Sequence, residues 1–418
     1  MKVSIITLGC KVNTCESESI AAKFKSLGHT VSGEFEKADV YVINTCAVTQ
    51  EAEKKSRQCV ARVRKYNQNA KIYVIGCAAE KNPDQFDGKD VTYISGNALK
   101  LNVAKLPEGK IKTELPTKYE NMPYSENLLT RAFVKIQDGC DNFCTYCIVP
   151  YLRGRCRSRD IQDIVNECIQ KSEHTQEIVL TGINTSAYGK DLGLSLVDLV
   201  FALSKVNARF RFSSLEVGVI DDGLLSAINE AGNFCPHFHL SLQSGDDGVL
   251  KSMNRHYTRE EFAQKVKLIR LFMPNACITT DIIVGFPTET DEAFENTLEL
   301  AKRVQFADIH IFPYSRRQGT KAYSLKPLPP DVVDKRKARL TELKNQLKKE
   351  YISQQLGKIV EVIAEYKDGS YAQGYSENYV RVYFTVKGEV RLGKRYFVKT
   401  NDLYADGVRG EYLPDFIK

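Results

Sequence analysis

Short apolar runs alternate with helical patterns over most of this chain, and that alternation narrows what it can fold into. Residues 3–8, 40–43 and 72–75 read as strands, with helical patterns over 16–27 and 51–66 between them. Strand–helix–strand repetition predicts an α/β domain over 1–115, a small doubly wound parallel sheet. The alternation resumes at about 128. Residues 132–136, 177–180, 210–213, 237–242, 278–284 and 308–312 read as strands, and 159–172, 259–271 and 292–304 as helices. Six strands fall short of a closed eight-fold barrel. The expectation for 128–352 is an open, partial (β/α)6 barrel with its active site at the C-terminal strand ends. Pro107, Pro116 and Pro123 mark residues 107–127 as a linker. Pro327-Leu328-Pro329-Pro330 marks a second break before a charged helical stretch over 332–356. That stretch reads as a solvated connecting helix, with a basic contact face as the alternative. Beyond it the pattern turns to β alternation, as in residues 379–386, and a small β-barrel is expected over 353–418.

A chain of 418 residues holds two or three such domains. Twelve cysteines are many for an ordinary globular composition, and in a reducing compartment they point to metal or catalysis rather than disulfides. The segment before Cys10 superficially suggests a lipoprotein signal. Its apolar core is too short, and Lys11 follows at once, so it reads as a buried first strand. No stretch has the length of a membrane span, and a cytoplasmic setting is expected. The net charge of +7 permits a nucleic-acid partner without requiring one.

Cys140, Cys144 and Cys147 form a C-x3-C-x2-C run directly after the predicted strand at 132–136. Three thiolates hold three irons of a four-iron cluster and leave the fourth open to a ligand that is not protein. The competing reading is structural zinc, which favours paired C-x2-C motifs, and no second pair follows. Cys156, the nearest further thiol, lies among arginines. Cys10, Cys46 and Cys77 each follow a predicted parallel strand, so the sheet would gather them at one edge. Gly9 and Gly76 would allow backbone to approach a bulky group there. Position alone leaves a second cluster and three buried cysteines equally open. Cys15 and Cys59 fall in helical stretches and read as packing residues; Cys168, Cys235 and Cys277 are taken as structural.

These features together resemble the radical S-adenosylmethionine (SAM) methylthiotransferases over nearly the whole chain. The likeness rests on the two cysteine sets, the arginine-rich run Val149-Pro150-Tyr151-Leu152-Arg153-Gly154-Arg155-Cys156-Arg157-Ser158-Arg159, and Leu242-Gln243-Ser244-Gly245. It also rests on Asp281-Ile282-Ile283-Val284-Gly285-Phe286-Pro287 with Glu289. Leu8-Gly9-Cys10-Lys11-Val12-Asn13 and Phe312-Pro313-Tyr314-Ser315-Arg316-Arg317-Gln318-Gly319-Thr320 are most similar to the branch acting on threonylcarbamoyladenosine in tRNA. Cys156 departs from the non-cysteine residue expected between the arginines.

The resemblance implies two 4Fe-4S clusters, on Cys140, Cys144 and Cys147 and on Cys10, Cys46 and Cys77. It implies that SAM, bound at the first cluster, generates a radical that activates C2 of adenine at position 37, and that the second cluster supplies sulfur for a methylthio product. Thr181, Gly182 and Asn184 close the second barrel strand, where a SAM grip belongs, and Gln243 and Asp281 lie near other strand ends. Each is equally readable as a helix cap. Arg153 and Arg159 are candidates for a ligand carboxylate, for tRNA phosphates or for structural ion pairs. The implied C-terminal module is a TRAM-like RNA-binding barrel. Tyr371, Tyr375, Tyr379, Arg381, Tyr383 and Phe384 interleave there with Lys367, Lys387 and Arg391. Most of those aromatics read as the core of the barrel, and the module is nearly neutral. The expected partners are a tRNA anticodon stem-loop, a low-potential electron donor and a sulfur donor, with no membrane and a monomeric state. The competing expectations are a methylthiotransferase acting on a ribosomal protein or on isopentenyladenosine in tRNA, and a non-enzymatic iron–sulfur carrier.

Overall fold

The computed structural model describes residues 1–88, 90–124, 130–386 and 388–414. Residues 125–127 of the expected linker, the expected barrel boundary at 128 and Lys387 lie outside these. The first unit is a six-stranded parallel sheet of β1 (Lys2–Thr7), β2 (Thr30–Ser32), β3 (Val40–Thr45), β4 (Lys71–Gly76), β5 (Tyr93–Ile94) and β6 (Gly109–Lys110), in the order β2-β1-β3-β4-β5-β6. Helices α1 (Lys11–Ser26), α2 (Gln50–Arg64) and the short α3 (Cys77–Lys81) connect the strands. β3 is buried along its whole length, which explains its continuous apolar run: strands covered on both faces do not alternate. Helix α1 begins at Lys11 rather than near residue 16, because Gly9 takes a left-handed φ of +99° and turns the chain straight from β1 into the helix. Strands β2, β5 and β6 are too short to leave a periodic signal.

The second unit opens with β7 (Ala132–Lys135) and a small hairpin ladder of β8 (Gln137–Asp138) with β9 (Arg157–Ser158). Helix α4 (Val149–Arg153) lies between these two strands. The chain then alternates through α5 (Ile161–Ser172), β10 (Glu177–Thr181), α6 (Leu196–Leu203), β11 (Arg209–Phe212), α7 (Asp222–Ala231) and β12 (His237–Gln243). It continues through α8 (Asp247–Ser252), α9 (Arg259–Phe272), β13 (Cys277–Val284), α10 (Asp291–Val304) and β14 (Asp308–Pro313). The strands form two parallel triplets, β11-β10-β7 and β12-β13-β14, tied by single bridges at Phe210–Phe234 and Leu215–Leu240. This is the expected open six-stranded barrel. Local chemistry fixes the helix starts: Asp160, Thr258 and Thr290 each accept an N–H of the first turn of α5, α9 and α10.

Helix α11 (Pro330–Ser353) buries Leu340, Leu343 and Leu347 in the barrel core, and Arg336 donates to Glu289. It is therefore a packed strut on one face rather than a purely solvated connector. The chain ends in a closed barrel of β15 (Ile359–Asp368), β16 (Tyr371–Ser376), β17 (Arg381–Thr385), β18 (Arg395–Tyr404) and β19 (Gly407–Tyr412). Among the described residues no helix is long and apolar enough to cross a membrane.

Two buried ionic clusters join the units. Glu16 and Lys100 of the first sheet unit meet Lys135, Asp138 and Arg153 of the barrel, with Lys135 Nζ 2.8 Å and Arg153 Nη1 2.8 Å from Glu16 Oε1. Arg131, Arg209 and Arg211 converge on Glu177, and Arg209 and Arg211 also donate to backbone carbonyls of Tyr375 and Glu377 in the C-terminal barrel.

Candidate functional site: two thiol triads on one cavity

β1, β3 and β4 are neighbours and run parallel, so their C-terminal ends lie side by side. Cys10 stands just past β1, Cys46 follows β3, and Cys77 opens α3. The backbone between them is tight. A Cβ on Gly9 would sit 2.7 Å from Cys46 Sγ, and one on Gly76, at φ +95°, would sit 2.6 Å from Asn44 Oδ1. Asn97 Nδ2 donates to Cys77 Sγ at 3.5 Å and to the Leu152 carbonyl at 2.9 Å, tying this edge to α4. Burial pushes the Cys46 thiol up to about 11, and the neighbouring Cys77 and Cys10 add to the shift.

The second triad lies in the loop between β8 and α4. Gly139 permits the turn: its φ is +72°, and a Cβ there would overlap the Arg155 carbonyl at 1.8 Å. Asn184 Nδ2 lies 3.8 Å from Cys140 Sγ, and Arg255 Nη1 donates to Cys144 Sγ at 3.3 Å. Glu216 holds that guanidinium at 3.1 Å and accepts from Asn142 at 2.5 Å. Burial pushes Cys140 up to about 11 and Cys147 up to about 12. Arg255 and Glu216 have no motif in the sequence. They reach the cysteines only through the fold: Glu216 follows β11, and Arg255 lies between α8 and α9. Cys156 donates to the Gly139 carbonyl at 3.7 Å, which accounts for that thiol locally.

The donor sets fit polynuclear clusters better than single ions. Thiolates around one tetrahedral zinc sit about 3.8 Å apart. Among the described residues, the donor side chains gathered closely enough to hold a single ion are His239, Asp281 and His310, and neither triad is among them. Free thiols raised in this way are protonated at neutral pH, so binding iron displaces their protons.

A cavity of about 800 Å³ connects the two sets: Cys10 and Lys11 form part of its wall, as do Cys140 and Cys147. Thr181, Gly182 and Asp281 line it, and Asn184 stands beside Cys140. Asp281 accepts from His239 Nε2 at 3.1 Å and His310 Nδ1 at 3.2 Å. These bonds outweigh burial and hold its carboxyl well below the usual range. Gln243 ends β12 at φ +70° and is not part of the wall.

Arg153 and Arg159 correct the expectation that they grip a ligand. Arg153 is 1% exposed and spends its guanidinium on Glu16, Asp138 and Asn13. Arg159 pairs with Asp163 at 2.6 Å and with Glu167. A buried guanidinium must be fully paired, and these two are paired within the protein. In the C-terminal barrel, Tyr383 and Phe384 are core residues. Tyr375 stacks on Tyr379 at 4.9 Å, and Tyr379 stacks on His237 at 4.7 Å, so this aromatic run is a seam between modules at the cavity mouth. Arg381 donates to Tyr375, and Lys367 pairs with Glu389.

Residues 134–301 match the radical SAM superfamily, and residues 2–95 match a family described as uncharacterized protein family UPF0004. The chain is 38% identical over 421 residues to the threonylcarbamoyladenosine tRNA methylthiotransferase MtaB of Thermotoga maritima, covering 97% of this chain and 96% of that one. It is 36% identical over 443 residues to the tRNA-2-methylthio-N(6)-dimethylallyladenosine synthase of Bacillus subtilis, covering 100% and 87%. Among solved structures, the radical SAM methyltransferase TsrM of Kitasatospora setae, with cobalamin and a [4Fe-4S] cluster bound, aligns with a TM-score of 0.57 at 10% identity over 77% of each chain. That likeness is one of fold.

Proposed function

Because this chain belongs to the tRNA methylthiotransferases of the radical SAM superfamily, we propose that it places a methylthio group on C2 of N6-threonylcarbamoyladenosine next to the anticodon. The observation that carries this reading is the opening of Cys10 and of Cys140 and Cys147 onto one cavity. When bound, a 4Fe-4S cluster on Cys140, Cys144 and Cys147 with SAM supplies the radical chemistry that activates the C2–H bond, and a second cluster on Cys10, Cys46 and Cys77 supplies sulfur.

The chain's own part is position and enclosure. Each triad offers three thiolates. The side chains within hydrogen-bonding reach of sulfur (Asn97 at one set, Asn184 and Arg255 at the other) are donors, not a fourth thiolate. Thr181 and Gly182 form the wall beside Cys140 and Cys147, the side on which SAM would lie. Glu16, Asp138 and Arg153 fix the distance between the triads through buried ion pairs, not through the cofactor. The C-terminal barrel bounds the same cavity and suits contact with the anticodon stem-loop. A low-potential electron donor, a sulfur donor, a monomeric state and a cytoplasmic setting complete the reading.

The test is anaerobic incubation of iron-loaded protein with SAM, a reductant and bulk tRNA. Nuclease digests should contain 2-methylthio-N6-threonylcarbamoyladenosine. Product on dimethylallyladenosine alone, or modification of ribosomal protein alone, overturns the proposal.

A further inference from the structure

Among the described residues the cavity wall holds one cation without a counter-ion. Its other charged groups are satisfied: Lys348 pairs with Asp308 at 3.0 Å, Arg381 with Asp406 at 3.4 Å, and Asp281 with its two histidines. Lys11, the first residue of α1, lines the cavity beside Cys10 and makes no ion pair or hydrogen bond among the described residues. At the start of β12, His237 is 8% exposed, lines the same cavity, and leaves its Nδ1 without a partner. Lys11 is near enough for its charge to act on His237 and on Asp281. An orphaned buried ring nitrogen costs free energy unless a ligand meets it, and Lys11, exposed at the same cavity, offers an unpaired charge there. Both sit on the same wall.

We infer, resting on the reading above, that Lys11 and His237 form a subsite for the carboxylate carried by the N6 substituent of the modified adenine. They would thereby set the choice between acidic and apolar N6 groups. A threonylcarbamoyl group carries a carboxylate, a hydroxyl and urea N–H groups. The carboxylate meets Lys11 with His237 beside it, and Asp281 is an acceptor for the N–H or hydroxyl donors. A dimethylallyl group offers only carbon and would leave Lys11 unpaired.

The test compares full-length wild type, Lys11→Gln and Lys11→Arg, all iron-loaded, on anticodon stem-loops. The stem-loops carry N6-threonylcarbamoyladenosine, its methyl ester, or N6-dimethylallyladenosine. Binding is read by fluorescence anisotropy and turnover by mass spectrometry. Wild type should bind the acid about tenfold or more tightly than the ester, the size expected of one charge-assisted contact. Lys11→Gln should lose that preference through a higher Kd and KM for the acid alone, and Lys11→Arg should keep most of it. A wild type indifferent to esterification overturns the inference, as does a Lys11→Gln variant weakened equally on acid and ester, the mark of a structural role. The wild type alone tests the underlying reading: if it modifies only the dimethylallyl stem-loop, the assigned substrate falls, and the subsite with it.

Discussion

Cys144 and Cys46 belong to different triads, so substituting them one at a time should divide the reaction. Cys144→Ala is expected to abolish SAM cleavage. Cys46→Ala is expected to keep cleaving SAM and to transfer no sulfur. Chromatographic assay of 5′-deoxyadenosine beside the tRNA nucleosides checks this, and equal loss of cleavage in both variants would count against separate roles. Arg255 makes a second case. It donates to Cys144 Sγ and is held by Glu216. Groups that support metal ligands in this way are worth about 10–100-fold in affinity. Arg255→Leu should therefore release iron about tenfold or more faster to a chelator, while iron at the Cys10, Cys46 and Cys77 set is retained. The cysteine run was legible because its three ligands lie within eight positions. Arg255 was not, because it lies 111 residues from Cys144 and only the closing of the barrel brings it there. His239 and His310, the partners of Asp281, were hidden for the same reason: one residue comes from each of three successive strands.

The turn from β1 into α1 shows what an element must do to serve the first triad. Gly9 has a left-handed φ and no room for a Cβ beside Cys46. Gly9→Ala is expected to cost about 1–3 kcal/mol and to lower iron bound at that triad, read by thermal melting and by iron content against wild type. The same turn explains a shortfall in the sequence reading. The strands were visible as apolar runs because parallel strands are covered on both faces, and the observed barrel strands fall within a residue or two of the expected ones. The start of α1 was missed because Lys11, Val12 and Asn13 carry no helical periodicity of their own. Asn13 serves the cavity edge instead, donating to the carbonyls of Leu8 and Thr45. Arg153 stood open between a ligand grip and a structural ion pair because an exposed arginine and one buried in an ion pair have the same letter. Only the placement of Glu16, 137 residues from Arg153, separates the two.

Across the whole molecule, the buried ionic clusters decide how firmly the units stay docked. Burial alone would raise the Glu16 carboxyl, but Arg153, Lys100 and Lys135 outweigh it and hold it well below the usual range. Burial is likewise outweighed at Asp138 by Lys135 and Arg153, and at Glu177 by Arg211, Arg209 and Arg131. A carboxyl depressed by folding contributes its full stability above its unfolded value, near pH 4, and loses it as acid carries the pH down toward the lower folded value. Resistance to denaturant should thus be flat from pH 8 to about pH 5 and fall steeply below about pH 4. Glu16→Gln leaves Lys100, Lys135 and Arg153 short of one charge, and a loss of about 3–5 kcal/mol is expected, measured by guanidinium unfolding at pH 7. The location of Glu16 has a further consequence for assembly. Lys135 lies five residues before Cys140, and Arg153 lies six after Cys147, and both pair with Glu16 from another module. A chain whose amino-terminal half has not yet docked carries stranded charge on both flanks of its radical-forming loop. Docking of the amino-terminal module therefore settles the charge around that loop.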